Sequence, residues 1–444
     1  MNSVRFPAPW FDQLAQSLYH ETLESAAILI CQPLETAAGE THLLVRDMRI
    51  AKDWDYVERT SLGLTLATGF CLAAEQRAVR EGLSLVYCHT HPHFGAPTFS
   101  DIDDSAEKIL SAYLTSRRAN SLHGALLLSK DCGIGRELGS DAPLRIVEIG
   151  ADYRLLSGAA VGDINEEHDR QVRAFGPVGQ AKISALRVAI IGLGGTGSLV
   201  VQQLAHLGVS RFIIVDPDRV DTTNLNRLVG ALPEDAGVTA KVAVGVRLIR
   251  ALQPMADVEA VAADVTNPAT AKKIANADFI FNCTDTHASR HLVNQLAYQY
   301  LIPVIDMGVS ISVGADGGAQ FAGHSKMLAP GLACLWCARH LNADLVRQEL
   351  LTEVQRAADP YVLGAEGIVQ PSVISLNSTV ASLSVTMFLA AVARVPSKSR
   401  YLYYDGNRGR VSTLDSSSEA GCPFCGDDAP IGWGEANPLP VRND

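Results

Sequence analysis

The chain has 444 residues, 47% hydrophobic and 19% charged, enough for two or three domains with buried cores and too apolar for a disordered acidic polymer. Its 37 Lys and Arg against 48 Asp and Glu give a formal net charge of -11, which argues against a general binder of nucleic acid or anionic membranes.

In chain order, the first residues, Met1 to Trp10, hold no apolar run of secretory-signal length. Apolar runs of β-type composition follow at 26–31, 42–45 and 83–88, with helical patterns at 67–80 and 101–116. This mixture predicts an α+β domain over residues 1–155. Residues 156–169, Gly-rich and then acidic, read as a linker. Residues 170–444 form a second predicted domain, with strands at 187–191, 212–215, 258–262, 279–282 and 303–305 and a helix at 196–207. Their alternation predicts a Rossmann-like α/β fold, a mostly parallel sheet with helices on both faces. The apolar stretch 380–395 is shorter than the roughly 20 residues of a membrane span and is broken by Ser382, Ser384, Thr386 and Arg394, so it reads as a buried helix. Nine Cys, four of them in two C-x-x-C pairs, suit a reducing compartment and point to a cytoplasmic protein.

At the end of the 83–88 strand, His89-Thr-His91-Pro92 puts two imidazoles on one face, because strand side chains alternate with period two. Ser100-Asp-Ile-Asp103 opens the next helix. Two His, a carboxylate and an open position make the donor set of a catalytic Zn²⁺ site, and Glu24, just before the 26–31 strand, is placed as its general base. These residues resemble the JAB/MPN (JAMM) metalloproteases, whose pattern is a distant Glu, then His-x-His-Pro, then Ser-x-x-Asp. The resemblance covers about residues 15–135. It implies that His89, His91 and Asp103 ligate zinc, Glu24 activates water and Ser100 helps stabilise the oxyanion, in a protease that cuts after the C-terminal glycine of ubiquitin-like proteins. Eight residues separate His91 from Ser100, one more than the pattern, so Asp101 and Asp104 stay open as ligands. Gly95, Ala96 and Pro97 give the loop room for the insertion, and His93 is expected to be a solvated loop residue. A metal-free domain kept for binding is the alternative.

In the second half, the apolar strand Leu186 to Ile191 runs into Gly192-Leu-Gly194-Gly195-Thr-Gly197 and a helix. Glycines allow a tight turn and let bare backbone approach phosphates, while the helix N-terminus supplies N–H groups. A second strand ends at Asp216, whose carboxylate can hold ribose hydroxyls, and to this point an NAD-binding dehydrogenase fits equally well. Asn224, Arg227, Lys241 and Asp285 tip the balance. Two cations and a carboxylate at strand ends neutralise phosphates and hold Mg²⁺ in nucleotidyl transfer, and a dinucleotide cofactor needs none of them.

From Arg170 to Gly426 the sequence resembles the E1-like adenylating superfamily, the ThiF/MoeB group and the ubiquitin-activating enzymes. In that family ATP and the C-terminal carboxylate of a ubiquitin-like protein react to an acyl-adenylate and pyrophosphate. The resemblance implies that Gly192, Gly194, Gly195 and Gly197 form the nucleotide loop and that Asp216 binds ribose. It likewise implies that Asn224, Arg227 and Lys241 line the phosphates and that Asp285 binds Mg²⁺. Arg170 resembles the arginine that reaches into the partner subunit's site, which implies a homodimer. One residue more than usual separates Arg227 from Lys241.

Cys334-Leu-Trp-Cys337 and Cys422-Pro-Phe-Cys425 are two knuckles whose four thiolates would close a tetrahedral, structural Zn²⁺ site. Thioester-forming members of the superfamily keep a Cys in the segment after the first knuckle, whereas residues 338–421 contain none. Cys283, on an apolar strand, is expected to pack rather than react. Transfer straight from the adenylate to a downstream thiol or sulfur donor fits these residues better than a thioester on this chain. The two halves together resemble components of bacterial ubiquitin-like conjugation operons, some linked to phage defence. They imply a ubiquitin-like or sulfur-carrier protein as substrate and an E2-like or sulfurtransferase protein downstream. The rival readings are a sulfur-carrier activator for cofactor biosynthesis and an inactive scaffold that binds nucleotide and a ubiquitin-like protein.

Overall fold

The unbroken apolar run at 26–31 is buried on both faces of its strand, Ser25–Glu35. Ala27, Leu29 and Cys31 join one core with Phe11, Leu14 and Leu18 of the helix Ala8–Leu18. Ile28 and Ile30 join another with Phe70, Ala74 and Ala78 of the helix Thr68–Glu81 and Leu114 of the helix Asp101–Arg117. Each fully buried large apolar side chain contributes about 1.5–3 kcal/mol. In this computed structural model the described residues are 1–442 except 20–21, 38, 93–96, 119–120, 130–131, 158–165, 315–316, 359–370 and 394. His93, Gly95, Ala96, Arg394 and most of the expected linker therefore lie outside the described residues.

Two compact units divide the chain: 1–159 with 299–301 and 430–438, and 160–298 with 302–429 and 439–444. The first holds an eight-stranded mixed sheet in which Ser25–Glu35 runs antiparallel to both Thr41–Ile50 and Ser84–Thr90. Ser84–Thr90 pairs in parallel with Gly124–Leu128. Residues 430–438 pack within this unit, where Arg46 lies 4.2 Å over the Trp433 ring.

The second unit carries the other eight-stranded sheet. Five strands run parallel in the order Asp257–Val261, Arg211–Val215, Arg187–Ile191, Phe279–Asn282, Val304–Val313. A mostly parallel sheet was the expectation, and the sheet is mixed. Three antiparallel strands, Ala319–Leu328, Tyr401–Asp405 and Arg410–Thr413, extend it. The strand expected to end at 305 continues to Val313, because all ten of its residues pair with 319–328. Small and polar residues at 306–312 conceal that continuation in the sequence. The apolar stretch near 380–395 lies in the helix Ile374–Ala393, which packs on the helix Gly195–His206 and on this sheet, with Phe388 4.9 Å from Phe279.

Candidate active sites

The parallel part of the second sheet reverses its strand order between Arg187–Ile191 and Phe279–Asn282. Ligands of such sheets bind outside the carboxyl ends of the strands at that reversal. Gly192 to Gly197 leaves the first of these strands and Cys283-Thr284-Asp285 leaves the second, so both turns meet there. Gly192 has φ +85°, and a Cβ on it would stand 3.0 Å from the Cys283 carbonyl. A Cβ on Gly197 would come within 1.8 Å of the Gly192 oxygen, so the tight turn requires both glycines. Beside Gly194 the space is open, which leaves its backbone accessible at the N-terminus of the helix Gly195–His206.

Asp216 is 4% exposed. Its Oδ2 accepts the Leu193 N–H at 2.6 Å and its Oδ1 the Asp218 N–H at 2.9 Å, so the carboxylate holds the glycine loop. Burial pushes its carboxyl up, opposed by Lys241 and these N–H groups. The Lys241 ammonium stands 3.7 Å from Asp216 and donates to Asp218 at 2.7 Å. The stem of Arg227 lies beside Gly195, where a Cβ would meet its Cδ at 3.3 Å. Asn224 sits in the turn at 222–224, its side chain accepting the Asp221 N–H at 3.2 Å. Asp285 and Arg170 are exposed. Cys283 is half-buried, its desolvation pushes the thiol up, and it points at the Met307 sulfur at 3.8 Å.

The four knuckle cysteines converge: Cys334 Sγ lies 3.6 Å from Cys422 Sγ, and Cys337 Sγ 3.6 Å from Cys425 Sγ. A disulfide needs about 2.05 Å. Zn–S bonds of about 2.3 Å in a tetrahedron give edges of about 3.8 Å, so these sulfurs fit the zinc. Trp336 and Phe424, the aromatic residues inside the two knuckles, stack at 5.8 Å.

In the first unit the antiparallel register that pairs Ser25 with Thr90 brings Glu24 opposite His91. The His91 Nε2 is 3.6 Å from Glu24 Oε1, 3.2 Å from His89 Nε2 and 3.8 Å from Asp103 Oδ2. His89 Nε2 lies 3.1 Å from Asp103 Oδ1. Ser100 caps the helix Asp101–Arg117, and its hydroxyl donates to Asp103 Oδ2 at 2.8 Å, so it orients the carboxylate. Burial pushes the Asp103 carboxyl up, but the bond and charge of His89 and the bonds from Ser100 outweigh it and hold it well below the usual carboxylate range. Asp104 turns away to Arg136, 2.7 Å distant, and Asp101 is exposed. Three donors within 4.8 Å, with the buried Glu24 beside them, fit a zinc of the two-His, one-carboxylate type.

The sequence reading missed a third group, Asp306, His324 and His340, whose donor atoms lie within 4.8 Å of one another. They are scattered over residues 306–340 without a motif, and only the hairpin 304–328 brings the first two together.

The family model described as the ThiF family matches residues 168–424, more than half of the chain. Among curated proteins, the chain is similar to the SAMP-activating enzyme E1 of Haloferax volcanii, 27% identical over 252 residues that cover 57% of this chain and 84% of that one. A sulfur carrier protein adenylyltransferase of Thermus thermophilus is 27% identical over 275 residues, 59% of this chain and 92% of that one. The sulfur carrier protein ThiS adenylyltransferase of Escherichia coli is 28% identical over 251 residues, 56% of this chain and 89% of that one. Among solved structures, E. coli MccB with ATP matches 59% of this chain and 75% of its own at 18% identity and a TM-score of 0.47.

Proposed function

The chain belongs to the ThiF family, and from that premise we propose that it uses ATP to adenylate the C-terminal glycine of a ubiquitin-like or sulfur-carrier protein, which its first unit trims or deconjugates. The observation that carries the adenylation is the meeting of the glycine loop, Arg227 and the Cys283–Asp285 turn where the strand order reverses. There the N–H groups of the helix Gly195–His206, with Asn224, Arg227 and Lys241, hold and neutralise the phosphates. Asp216 holds the ribose and Asp285 would hold Mg²⁺. The substrate carboxylate attacks the α-phosphorus, an acyl-adenylate forms and pyrophosphate leaves. Arg170 completes the site of a partner subunit in a homodimer. The four-Cys zinc is structural, since four thiolates leave no open position.

For the first unit, His89, His91 and Asp103 would hold the catalytic zinc, which supplies a Lewis acid that lowers the pKa of water. Glu24 would serve as general base and then as general acid toward the leaving amine, and Ser100 keeps Asp103 in place. The reaction is cleavage after the terminal glycine, in a cytoplasmic bacterial conjugation system of the kind linked to phage defence. The absence of Cys from 338–421 favours handing the adenylate to the thiol of an E2-like or sulfurtransferase protein. A second reading, sulfur-carrier activation for cofactor biosynthesis, is favoured by that same absence and by the Thermus and E. coli relatives.

ATP–pyrophosphate exchange tests the adenylation. Wild type should exchange in the presence of the carrier and Asp285→Ala should fall by about 100-fold or more. No exchange above background in either would leave a scaffold, and equal exchange in both would remove Asp285 from the reaction. Glu24→Gln, expected to bind without cutting, tests the trimming when purified from the native host with ATP and Mg²⁺. A trapped small protein with residues beyond its terminal glycine supports trimming; one that already ends in glycine or a thiocarboxylate supports sulfur transfer.

A further inference from the structure

Asp306 is fully buried on the strand Val304–Val313, opposite Asn282 on one side and Lys326 on the other. Its two oxygens divide their partners. Oδ1 accepts Asn282 Nδ2 at 2.7 Å and has Arg290 Nε at 3.4 Å. Oδ2 faces His324 Nε2 at 3.1 Å. The His324 and His340 rings meet edge to face at 4.6 Å, and the Tyr401 hydroxyl fixes His340 through Nε2 at 2.7 Å. Lys326, the other nearby cation, is turned to Ser416 at 2.7 Å and to the Tyr401 ring.

We propose that Asp306, His324 and His340 form a further divalent transition-metal site, separate from the four-Cys cluster. Three observations converge on it. The donors come from three segments, two strands and the turn after Cys337, yet their ligand atoms lie within 4.8 Å of one another. Each buried end of the group carries an outer partner, Asn282 and Arg290 behind the carboxylate and Tyr401 behind His340, the pattern that orients metal ligands. The two nearby cations are each engaged by another group: Arg290 faces the other Asp306 oxygen, Oδ1, and Lys326 donates to Ser416. Two imidazoles and a carboxylate select a borderline ion such as Zn²⁺ over Mg²⁺ or Ca²⁺. His324 is 20% exposed, which leaves one side for water or a substrate oxygen. The ion would tie the antiparallel hairpin and the turn after Cys337 to the strand next to Asn282, whose side chain accepts from Thr284 beside Asp285.

Crystals of the full wild-type chain, purified from zinc-supplemented cells and dialysed against metal-free buffer, would be measured at the zinc absorption edge. An anomalous peak among Asp306, His324 and His340, in addition to the four-Cys peak, is expected. A full four-Cys peak with nothing at this point overturns the site. In parallel, elemental analysis should find one zinc fewer per chain in His324→Gln and His340→Gln, with the thiolate-to-metal absorption of the cobalt-loaded four-Cys cluster retained. Unchanged zinc content overturns the proposal, and if that absorption is lost the wild-type crystals decide.

Discussion

The histidine site of the first unit and the glycine-loop site of the second are prepared for their ligands in opposite ways. In the first, side chains make the site: His89, His91, Asp103, Ser100 and Glu24 each already stand within 3.6 Å of another member of the group. In the second, backbone makes the cradle. Of its charged groups, Lys241 is paired with Asp218, Arg227 donates to the Thr223 carbonyl, and Asp285 is exposed. On the proposed function the difference follows from the ligands. A bare cation brings no donors and needs them assembled in advance, whereas a nucleotide brings its own charge and recruits flexible side chains to an N-terminus that the chain must form anyway.

The sharpest test of that contrast is a pair of neighbouring carboxylates. Asp103→Asn should weaken zinc binding by the first unit by about 100-fold or more, while Asp104→Asn, one residue away but bonded to Arg136, should change it by less than about tenfold. Competition with a zinc indicator on both variants measures this, and equal losses would break the idea of a preassembled ligand set. Next comes the backbone cradle. Gly197→Ala puts a methyl within 1.8 Å of the Gly192 oxygen, so the turn must move. ATP affinity by calorimetry should fall about tenfold or more, with stability lowered by about 1–3 kcal/mol. An unaffected affinity would mean that side chains, not backbone, hold the nucleotide.

The smallest effect concerns pH in the first unit. His123 accepts the Leu85 N–H at 3.0 Å, and burial, with Arg118 nearby, lowers its pKa to about 4. The unfolded chain takes up the proton near pH 6.5, before the folded chain does, so this contribution is complete above about pH 6.5 and declines as pH falls toward 4. His123→Gln should therefore flatten the stability profile between pH 7 and 5 in denaturant titrations. A slope identical to wild type would remove His123 as its source.

Much of both sites was legible because their chemistry is written in short spacings. Strand alternation puts His89 and His91 on one face, and a Ser three residues before an Asp announces the helix cap that holds Asp103. The strands 187–191 and 279–282 coincide with their apolar runs. What the sequence left open was decided by register and long-range pairing. The choice of Asp103 over Asp101 and Asp104 depends on helix phase and on Arg136, far along the chain. The antiparallel strands past Val304 depend on ten cross-strand pairs rather than on any apolar period. The group of Asp306, His324 and His340 exists only because that hairpin and the turn after Cys337 fold onto one another. Local order follows from side-chain period and backbone sterics, which adjacent residues carry. Convergence of distant donors follows from strand pairing and packing, which no window of sequence contains.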